Sequence, residues 1–196
     1  FFTSKGQVFS KKVYNLPEAS RTSKGRNLAN LISLAPGEKI VEIIPVPKDM
    51  EGKFLIIATE RGIVKKSELS EYKNIRDNGL RAIKIQDDDN LLTVRITDGK
   101  KDVLLCSTSG KIIRFEEEDC RPLGRVSQGV KGISINADEK IIGMEIIDDS
   151  VEILSVTQNG YGKRTISAEY RKQARGGKGI LAMKLTEKNG EIVQIK

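Results

Sequence analysis

The side chains of this chain that could do chemistry are mainly charged ones, because histidine is absent and cysteine is scarce. The sequence contains no histidine, which excludes Ser-His-Asp and Cys-His catalysis and removes the commonest metal ligand. Its two cysteines, Cys106 and Cys120, have no chelating spacing and are too few for a disulfide framework. We therefore expect no catalytic residue, no metal site and no cofactor, and both thiols reduced.

Two local clusters of charge remain as candidate sites. Asp87-Asp88-Asp89 could hold a metal or act as acid and base, but polar runs between strand-like segments are mostly turns. The segment Gln173-Ala174-Arg175-Gly176-Gly177-Lys178-Gly179 places glycines among cations, so that backbone amides and positive side chains can approach a phosphate. It lacks the Gly-x-x-x-x-Gly-Lys-Ser/Thr pattern of a Walker loop and does not predict nucleotide hydrolysis. Its candidate anion-binding residues, here called the box-like motif, are Gln173, Arg175, Gly176, Gly177, Lys178 and Gly179.

A repeat of about fifty residues positions these clusters. A first anchor glycine recurs at Gly6, Gly62, Gly110 and Gly160, and a second anchor recurs at Gly25, Gly79, Gly129 and Gly179. The second anchor follows the first by 19, 17, 19 and 19 residues, a phase that chance does not readily produce. The chain is therefore predicted to hold about four tandem units, at residues 1–38, 39–89, 90–138 and 139–190, with 191–196 a leftover strand.

The apolar residues of each unit follow a strand pattern. After the second anchors, pairs such as Ile83 and Ile85 recur with a period of two, which indicates half-buried strands. Further apolar runs bring each unit to about four strands, and tandem four-stranded units are typical of propeller-like assemblies. We predict a single all-β domain over residues 1–196 with about four blades, since a β-sandwich would not carry a phased period. Cys120 stands ten residues after its first anchor, as Leu16, Tyr72 and Tyr170 do, and is predicted to be a core residue.

Positive charge is concentrated in one equivalent segment of each repeat. The chain carries +7 overall, with 34 Lys and Arg against 27 Asp and Glu. The windows between first and second anchors carry +3, +1, 0 and +5, together +9, so the rest of the chain carries −2. The third window is neutral because of Glu116-Glu117-Glu118-Asp119, and its blade is expected to contact a polyanion least.

Equivalent segments of a radial fold share a face or rim, so these cations predict an electrostatic track for a phosphate backbone. No matching aromatic cluster is present for stacking single-stranded bases, which favours double-stranded nucleic acid. The candidate phosphate contacts are Lys11, Lys12, Arg21, Lys24, Arg26, Lys65, Lys66, Arg76, Arg81, Lys163, Arg164, Arg171, Lys172, Arg175 and Lys178.

The same residues give less support to other classes of function. A protein-interaction propeller without a DNA role stays open and would show an apolar patch and salt-tolerant binding. A propeller hydrolase is the least favoured class, because no acid pair or nucleophile stands out in this sequence. Neither a signal peptide nor an apolar run of membrane-spanning length occurs, so we expect a cytoplasmic protein with no membrane partner. The chain begins without Met, which suggests an excised piece of a longer polypeptide.

Three segments carry a likeness to a known family: residues 13–21 (VYNLPEASR), 128–133 (QGVKGI) and 157–165 (TQNGYGKRT). They resemble the C-terminal domain of the A subunit of bacterial DNA gyrase, and the likeness extends over essentially the whole chain. The resemblance implies a β-pinwheel, a propeller-like disc whose blades exchange strands, with DNA wrapped around its basic rim. It also implies a non-catalytic domain that binds DNA without sequence preference and supports ATP-dependent negative supercoiling. Its implied partners are double-stranded DNA, the B subunit of gyrase and the rest of the A subunit, on the bacterial chromosome.

The chain departs from that family in two ways. The family has about six blades where about four are counted here. Its seven-residue box, Gln-Arg-Arg-Gly-Gly-Lys-Gly, stands in the first blade, whereas the match here is in the last unit with Ala174 in place of an arginine. We therefore interpret the box-like motif as an echo of the box within the repeat. The related C-terminal domain of the topoisomerase IV A subunit, which serves decatenation, is the alternative identity.

Overall fold

A computed structural model describes residues 1–196, and it is built from strands joined by short 3-10 turns. The strands are β1 (Phe2–Thr3), β2 (Gln7–Val8), β3 (Ile40–Glu42), β4 (Phe54–Thr59), β5 (Ile63–Glu68), β6 (Leu80–Arg81), β7 (Leu91–Thr97), β8 (Asp102–Ser107), β9 (Lys111–Glu116), β10 (Val130–Lys131), β11 (Ile141–Ile147), β12 (Glu152–Thr157), β13 (Gly162–Ile166), β14 (Ile180–Leu181) and β15 (Ile192–Ile195). The 3-10 turns are Val13–Asn15, Leu28–Asn30, Leu69–Tyr72, Glu117–Asp119 and Ser167–Glu169. The predicted all-β class is confirmed, and no helix has the length and apolar character that a membrane crossing requires.

The strands form four antiparallel sheets, which confirms the predicted number of blades. In spatial order they are β3-β1-β2-β6, β10-β5-β4-β7, β11-β8-β9-β14 and β13-β12-β15. The first three sheets have the four strands expected of a blade, and the fourth has three. Residues 191–196 contain β15, which pairs with β12 as the third strand of that fourth sheet.

Each of the first three sheets combines strands from two successive repeats. In the second sheet the central hairpin β4–β5 comes from one repeat, while β7 and β10 come from the next and pair with β4 and β5. The first and third sheets repeat this arrangement with β3 and β6 or with β11 and β14. Neighbouring blades therefore exchange strands, as in the β-pinwheel that the resemblance implies.

The two glycine anchors sit where the backbone makes this exchange. The first anchors close the hairpin turns, and the carbonyls of Gly6, Gly62 and Gly110 accept hydrogen bonds from the chain of the next repeat, as Gly62 O does from Gly132 N at 2.8 Å. Three second anchors, Gly79, Gly129 and Gly179, precede the short exchanged strands β6, β10 and β14, whereas Gly25 precedes the 3-10 turn Leu28–Asn30. Gly179 has φ +73°, and a Cβ there would lie 2.6 Å from the carbonyl oxygen of Ile112. Glycine is required at such a position by both its φ and its close approach.

We predict that Gly179→Ala destabilises the protein clearly more than Gly25→Ala. Both glycines have positive φ, but Gly25 has open space around its Cα. Gly25→Ala is the control and should lower the free energy of unfolding only by the cost of the left-handed backbone conformation, about 1–2 kcal/mol. Gly179→Ala must also displace β14 from β9. Urea unfolding of both variants measures the difference, and equal losses would contradict the packing role of Gly179.

The hydrophobic core is divided between adjacent sheets. Along β4, Leu55 and Ile57 belong to one buried cluster, while Ile56 and Ala58 belong to the next. Alternate side chains of a strand point to opposite faces, so a sheet that lies between two others is apolar on both of its faces. Blades are therefore stacked face to face, and a side chain in the middle of an inner sheet is buried whichever face it occupies.

The two cysteines are inert members of this core. Cys120 is buried, as its place in the repeat predicts, and Cys106 is buried in the neighbouring cluster. Burial raises the pKa of the Cys120 thiol to about 11 and that of Cys106 to about 12. Both therefore stay protonated at neutral pH, where a thiol is a weak nucleophile.

Candidate nucleic-acid interface

The acidic run of the second repeat lies at the anchor end of its blade. β5 separates the first anchor turn at Gly62 from the 3-10 turn Leu69–Tyr72 by about 20 Å, six residues of extended chain. At the anchor end the acidic run Asp87-Asp88-Asp89 forms the predicted turn, because Asp89 Oδ1 accepts a hydrogen bond from the backbone N–H of Arg61 at 3.0 Å. The carboxylate of Asp88 lies 4.0 Å from the guanidinium of Arg61. These aspartates hold a turn, and a separate group of cations lies at the opposite end of the blade.

A polar groove of about 940 Å³ opens beside the Leu69–Tyr72 turn. Its walls come from three successive repeats, and we call it the basic groove. Its cations are Lys11, Lys12, Lys73, Arg76 and Arg125, and its carboxylates are Glu71 and Asp77. Ser10, Ser70, Asn15, Asn74 and Asn78 add hydrogen-bonding groups. The folded chain therefore concentrates an excess of positive charge from distant parts of the sequence in one concave surface.

Most of this positive charge is available to a ligand. Lys12, Lys73 and Arg76 are exposed and take part in no salt bridge of the structure. Lys11 Nζ lies 3.1 Å from Asp77, whose side chain is almost fully exposed, and Arg125 lies 4.0 Å from Glu71. Such surface pairs contribute about 0–1 kcal/mol, so a phosphate can displace them at little cost.

Two predicted phosphate contacts are wrong because they lie inside the protein. Lys65 and Lys66 are consecutive residues of β5, and both are buried although they point to opposite faces. Lys66 Nζ lies 3.0 Å from the carboxylate of Glu117, whose side chain is 0% exposed, and 4.5 Å from the centre of the Phe54 ring. Neither lysine can reach DNA, and Glu117, counted as surface charge in the third window, is an internal counterion.

The cations of the fourth repeat are distributed among several neighbours. Lys163 donates to the carbonyl oxygen of Ala182 at 2.6 Å, and Arg164 forms an exposed pair with Glu152 at 3.0 Å. Lys172 is held by two carboxylates, Asp102 at 3.1 Å and Glu116 at 3.2 Å, and these hydrogen bonds raise its pKa. Although exposed, these three side chains are less available to phosphate than those of the basic groove.

Several polar groups of the box-like motif form hydrogen bonds with the preceding repeat, so the motif is not an open loop for a phosphate. The N–H of Gly176 donates to Gly132 O at 2.7 Å, and Ser134 donates through N–H and hydroxyl to Gly177 O and Gly176 O, each at 2.8 Å. The guanidinium of Arg175 donates to backbone carbonyls of the preceding repeat. Within the motif, Lys178 keeps an exposed side chain with no salt bridge.

The other predicted cations are exposed and outside the basic groove. They take part in no ion pair or side-chain hydrogen bond of the structure. They are Arg21, Lys24, Arg26, Arg81 and Arg171.

Sequence reasoning missed two residues of the groove, Lys73 and Arg125. Both lie between anchors, so the phased charge count included them without naming them. The sequence predicts that the acidic run of the third repeat neutralises Arg125. In the structure its nearest carboxylate is instead Glu71 of the preceding repeat, and that switch of partner follows from strand exchange.

Comparison with known proteins assigns the chain to a family. The family model described as "DNA gyrase C-terminal domain, beta-propeller" matches residues 1–47, 53–98, 101–148 and 152–196. The DNA gyrase A subunit of Staphylococcus epidermidis (strain ATCC 12228 / FDA PCI 1200) is 47% identical over 199 residues, which cover 100% of this chain and 22% of that protein. The chain thus spans about a fifth of the length of that relative.

Solved structures give the same result. The C-terminal domain of a DNA topoisomerase IV superposes with a TM-score of 0.89 at 29% identity, covering 100% of this chain and 61% of the other. A DNA gyrase A C-terminal domain gives 0.81 at 25% identity, covering 97% and 62%. Four matched segments, one for each blade, and the strand-exchanged sheets support one assignment. The chain belongs to the DNA gyrase C-terminal domain, beta-propeller family.

Proposed function

We propose that this chain binds double-stranded DNA without sequence preference, with the basic groove as the principal contact and the remaining exposed cations extending the path. The observation that carries this proposal is the convergence of five cations from three repeats on one groove. Lysine and arginine gain affinity for DNA by neutralising phosphates and releasing counterions. The groove offers no aromatic side chain, so base stacking does not enter.

In the whole protein this contact would curve DNA around the domain and support ATP-dependent negative supercoiling by gyrase. Its partners would be the B subunit of gyrase and the rest of the A subunit, on the bacterial chromosome, and the domain itself would be an accessory without catalysis. Bending 20–30 base pairs by 40–90° costs about 1–6 kcal/mol, so contacts must be spread along the path. Repeated blades, each with its own cations, provide that spread.

A role in topoisomerase IV is the second candidate, favoured by the TM-score of 0.89 to a C-terminal domain of that enzyme. The 47% identity to a gyrase A subunit favours the first. A protein-interaction role has less support, since the groove that the repeats share is lined mainly by charged and polar side chains, with Ile75 and Leu80 as its two hydrophobic ones.

Duplex binding at several salt concentrations tests the proposal. With five groove cations, the logarithm of the association constant should fall with the logarithm of salt concentration with a slope of about −4 or steeper. Fluorescence anisotropy with two 40-base-pair duplexes of unrelated sequence measures it, and both should give one curve. Ligation of nicked circles in the presence of the protein should then leave a changed linking number. Salt-insensitive binding would favour a protein-interaction role. An unchanged linking number would show that the protein does not wrap DNA.

A further inference from the structure

Of the two buried lysines of β5, Lys65 has no carboxylate partner and donates only to backbone carbonyls. Resting on the proposed function, we infer that Lys65 is a positioning residue: its ammonium holds Arg125 at the basic groove, so that DNA affinity falls when this amine loses its proton.

Lys65 joins three segments of chain at one point. Its side chain is 0% exposed, and Nζ donates to the carbonyl oxygens of Ala82 and Arg125, each at 2.6 Å. Ala82 follows β6 of the same repeat, whereas Arg125 belongs to the next repeat. No carboxylate forms a salt bridge with Lys65, so its partners are the two carbonyls alone.

The segment that carries Arg125 is fastened to the preceding blade along residues 122–125. Leu123 N–H donates to Lys66 O at 2.8 Å, and Ser67 Oγ donates to Leu123 O at 2.7 Å. Arg125 N–H donates to the carboxylate of Glu71 at 3.2 Å. Lys65 supplies the bond at the carbonyl of Arg125 itself, next to the side chain that lines the groove.

The repeats show that the fold does not need a cation at this position. Three residues after the first anchors stand Phe9, Lys65, Ile113 and Lys163, and Phe9 and Ile113 are buried apolar residues. The same architecture therefore accepts an apolar side chain there. What lysine adds is a donor for carbonyls, since Lys163 also donates to the equivalent Ala182 O at 2.6 Å.

The protonation of Lys65 changes near neutral pH. Burial lowers its pKa to about 8, while the Glu71 carboxylate raises it and the Arg125 guanidinium lowers it. The Tyr72 hydroxyl donates to the same Ala82 oxygen at 3.2 Å, and burial raises its pKa to about 12. Below pH 8 the lysine is charged and its hydrogen bonds are about twice as strong as neutral ones. Above pH 8 the amine is neutral, and its hydrogen bonds to the two carbonyls weaken.

The test compares the whole chain with Lys65→Met, Arg125→Ala and the double variant in duplex binding from pH 7 to 9 at constant salt. The wild type should lose affinity across a step near pH 8. Lys65→Met should bind up to about tenfold more weakly at pH 7, the equivalent of one phosphate contact at 0.1 M salt, and should lack the step. Added to Arg125→Ala, it should have no further effect, because Lys65 acts through that side chain.

Lys163→Met is the matched control, since it loses the equivalent carbonyl bond without touching the Arg125 segment, and it should keep the wild-type step. The Phe1 α-amino group, whose pKa burial lowers from 8.0, titrates in all variants and cannot create a difference between them. Salt-sensitive wild-type binding with no pH step, or losses that multiply in the double variant, would overturn the inference. Absence of salt-sensitive binding in the wild type would instead refute the proposed function. If Lys65→Met does not fold, the profile of Arg125→Ala decides: a retained step overturns the inference, and its loss supports it.

Discussion

Replacing Lys66 by methionine should lower the free energy of unfolding by about 3–5 kcal/mol, the usual cost of breaking a buried ion pair from one side. Lys66 Nζ lies 3.0 Å from Glu117, and the two side chains are 5% and 0% exposed. Without the lysine, the Glu117 carboxylate keeps one neutral hydrogen bond, from Thr97 Oγ1 at 2.7 Å. The midpoint of thermal unfolding should fall by about 10 °C, measured by circular dichroism alongside a urea titration.

Arg164→Met is the matched control for this variant. Arg164 stands four residues after its first anchor, as Lys66 does, but its side chain is 73% exposed and its partner Glu152 is 52% exposed. Its loss should therefore change stability by no more than about 1 kcal/mol. The double variant Lys66→Met, Glu117→Gln should recover most of the loss, because a pair of neutral groups carries no unpaired buried charge. A double variant as unstable as the single one would show that packing of the lysine, and not its charge, matters.

Reversing two charges of the basic groove, with Lys12→Glu and Arg76→Glu together, should weaken duplex binding by about 100-fold at 0.1 M salt. Each lost phosphate contact removes roughly 0.9 from the slope and close to one decade of affinity at that salt concentration. The slope should therefore become shallower by about 2. Both side chains are exposed and unpaired, so the fold should be unaffected.

The control for charge reversal is Lys100→Glu with Lys184→Glu. These lysines are exposed and lie outside the windows between anchors, so the same change in net charge is made away from the groove. A loss of no more than a fewfold is expected, from long-range electrostatics screened over about 10 Å at 0.1 M salt. If both double variants lose affinity equally, net charge and not the groove determines binding.

The repeat, the strand class and the turn glycines could be predicted from the sequence because each depends on local chemistry. A glycine with positive φ is needed wherever the hairpin turns, and apolar residues alternate wherever a strand is covered. The spacing of Gly62 and Gly79 is therefore enough to predict a blade. Core positions such as Cys120 followed from the same phase.

The orientation of each cation could not be predicted in this way. Lys65 and Lys66 look like surface residues because alternation normally puts one of two neighbours in solvent. Here the sheet is covered on both faces, so both are buried, one on two carbonyls and the other on Glu117. Lys12 and Arg76, which are also basic residues between anchors, are exposed to solvent.

The sequence by itself determined how many blades this chain forms, where each hairpin turns and which segments hold its positive charge. Tertiary structure alone decided which of those charges face outward, because each sheet is completed by strands of the following repeat. That exchange brings Glu117 to Lys66 and Arg125 to the groove that Lys11 and Lys12 begin. A charge count along the chain cannot foresee it, since electrostatic energy depends on separation and burial in space and not on position in the sequence.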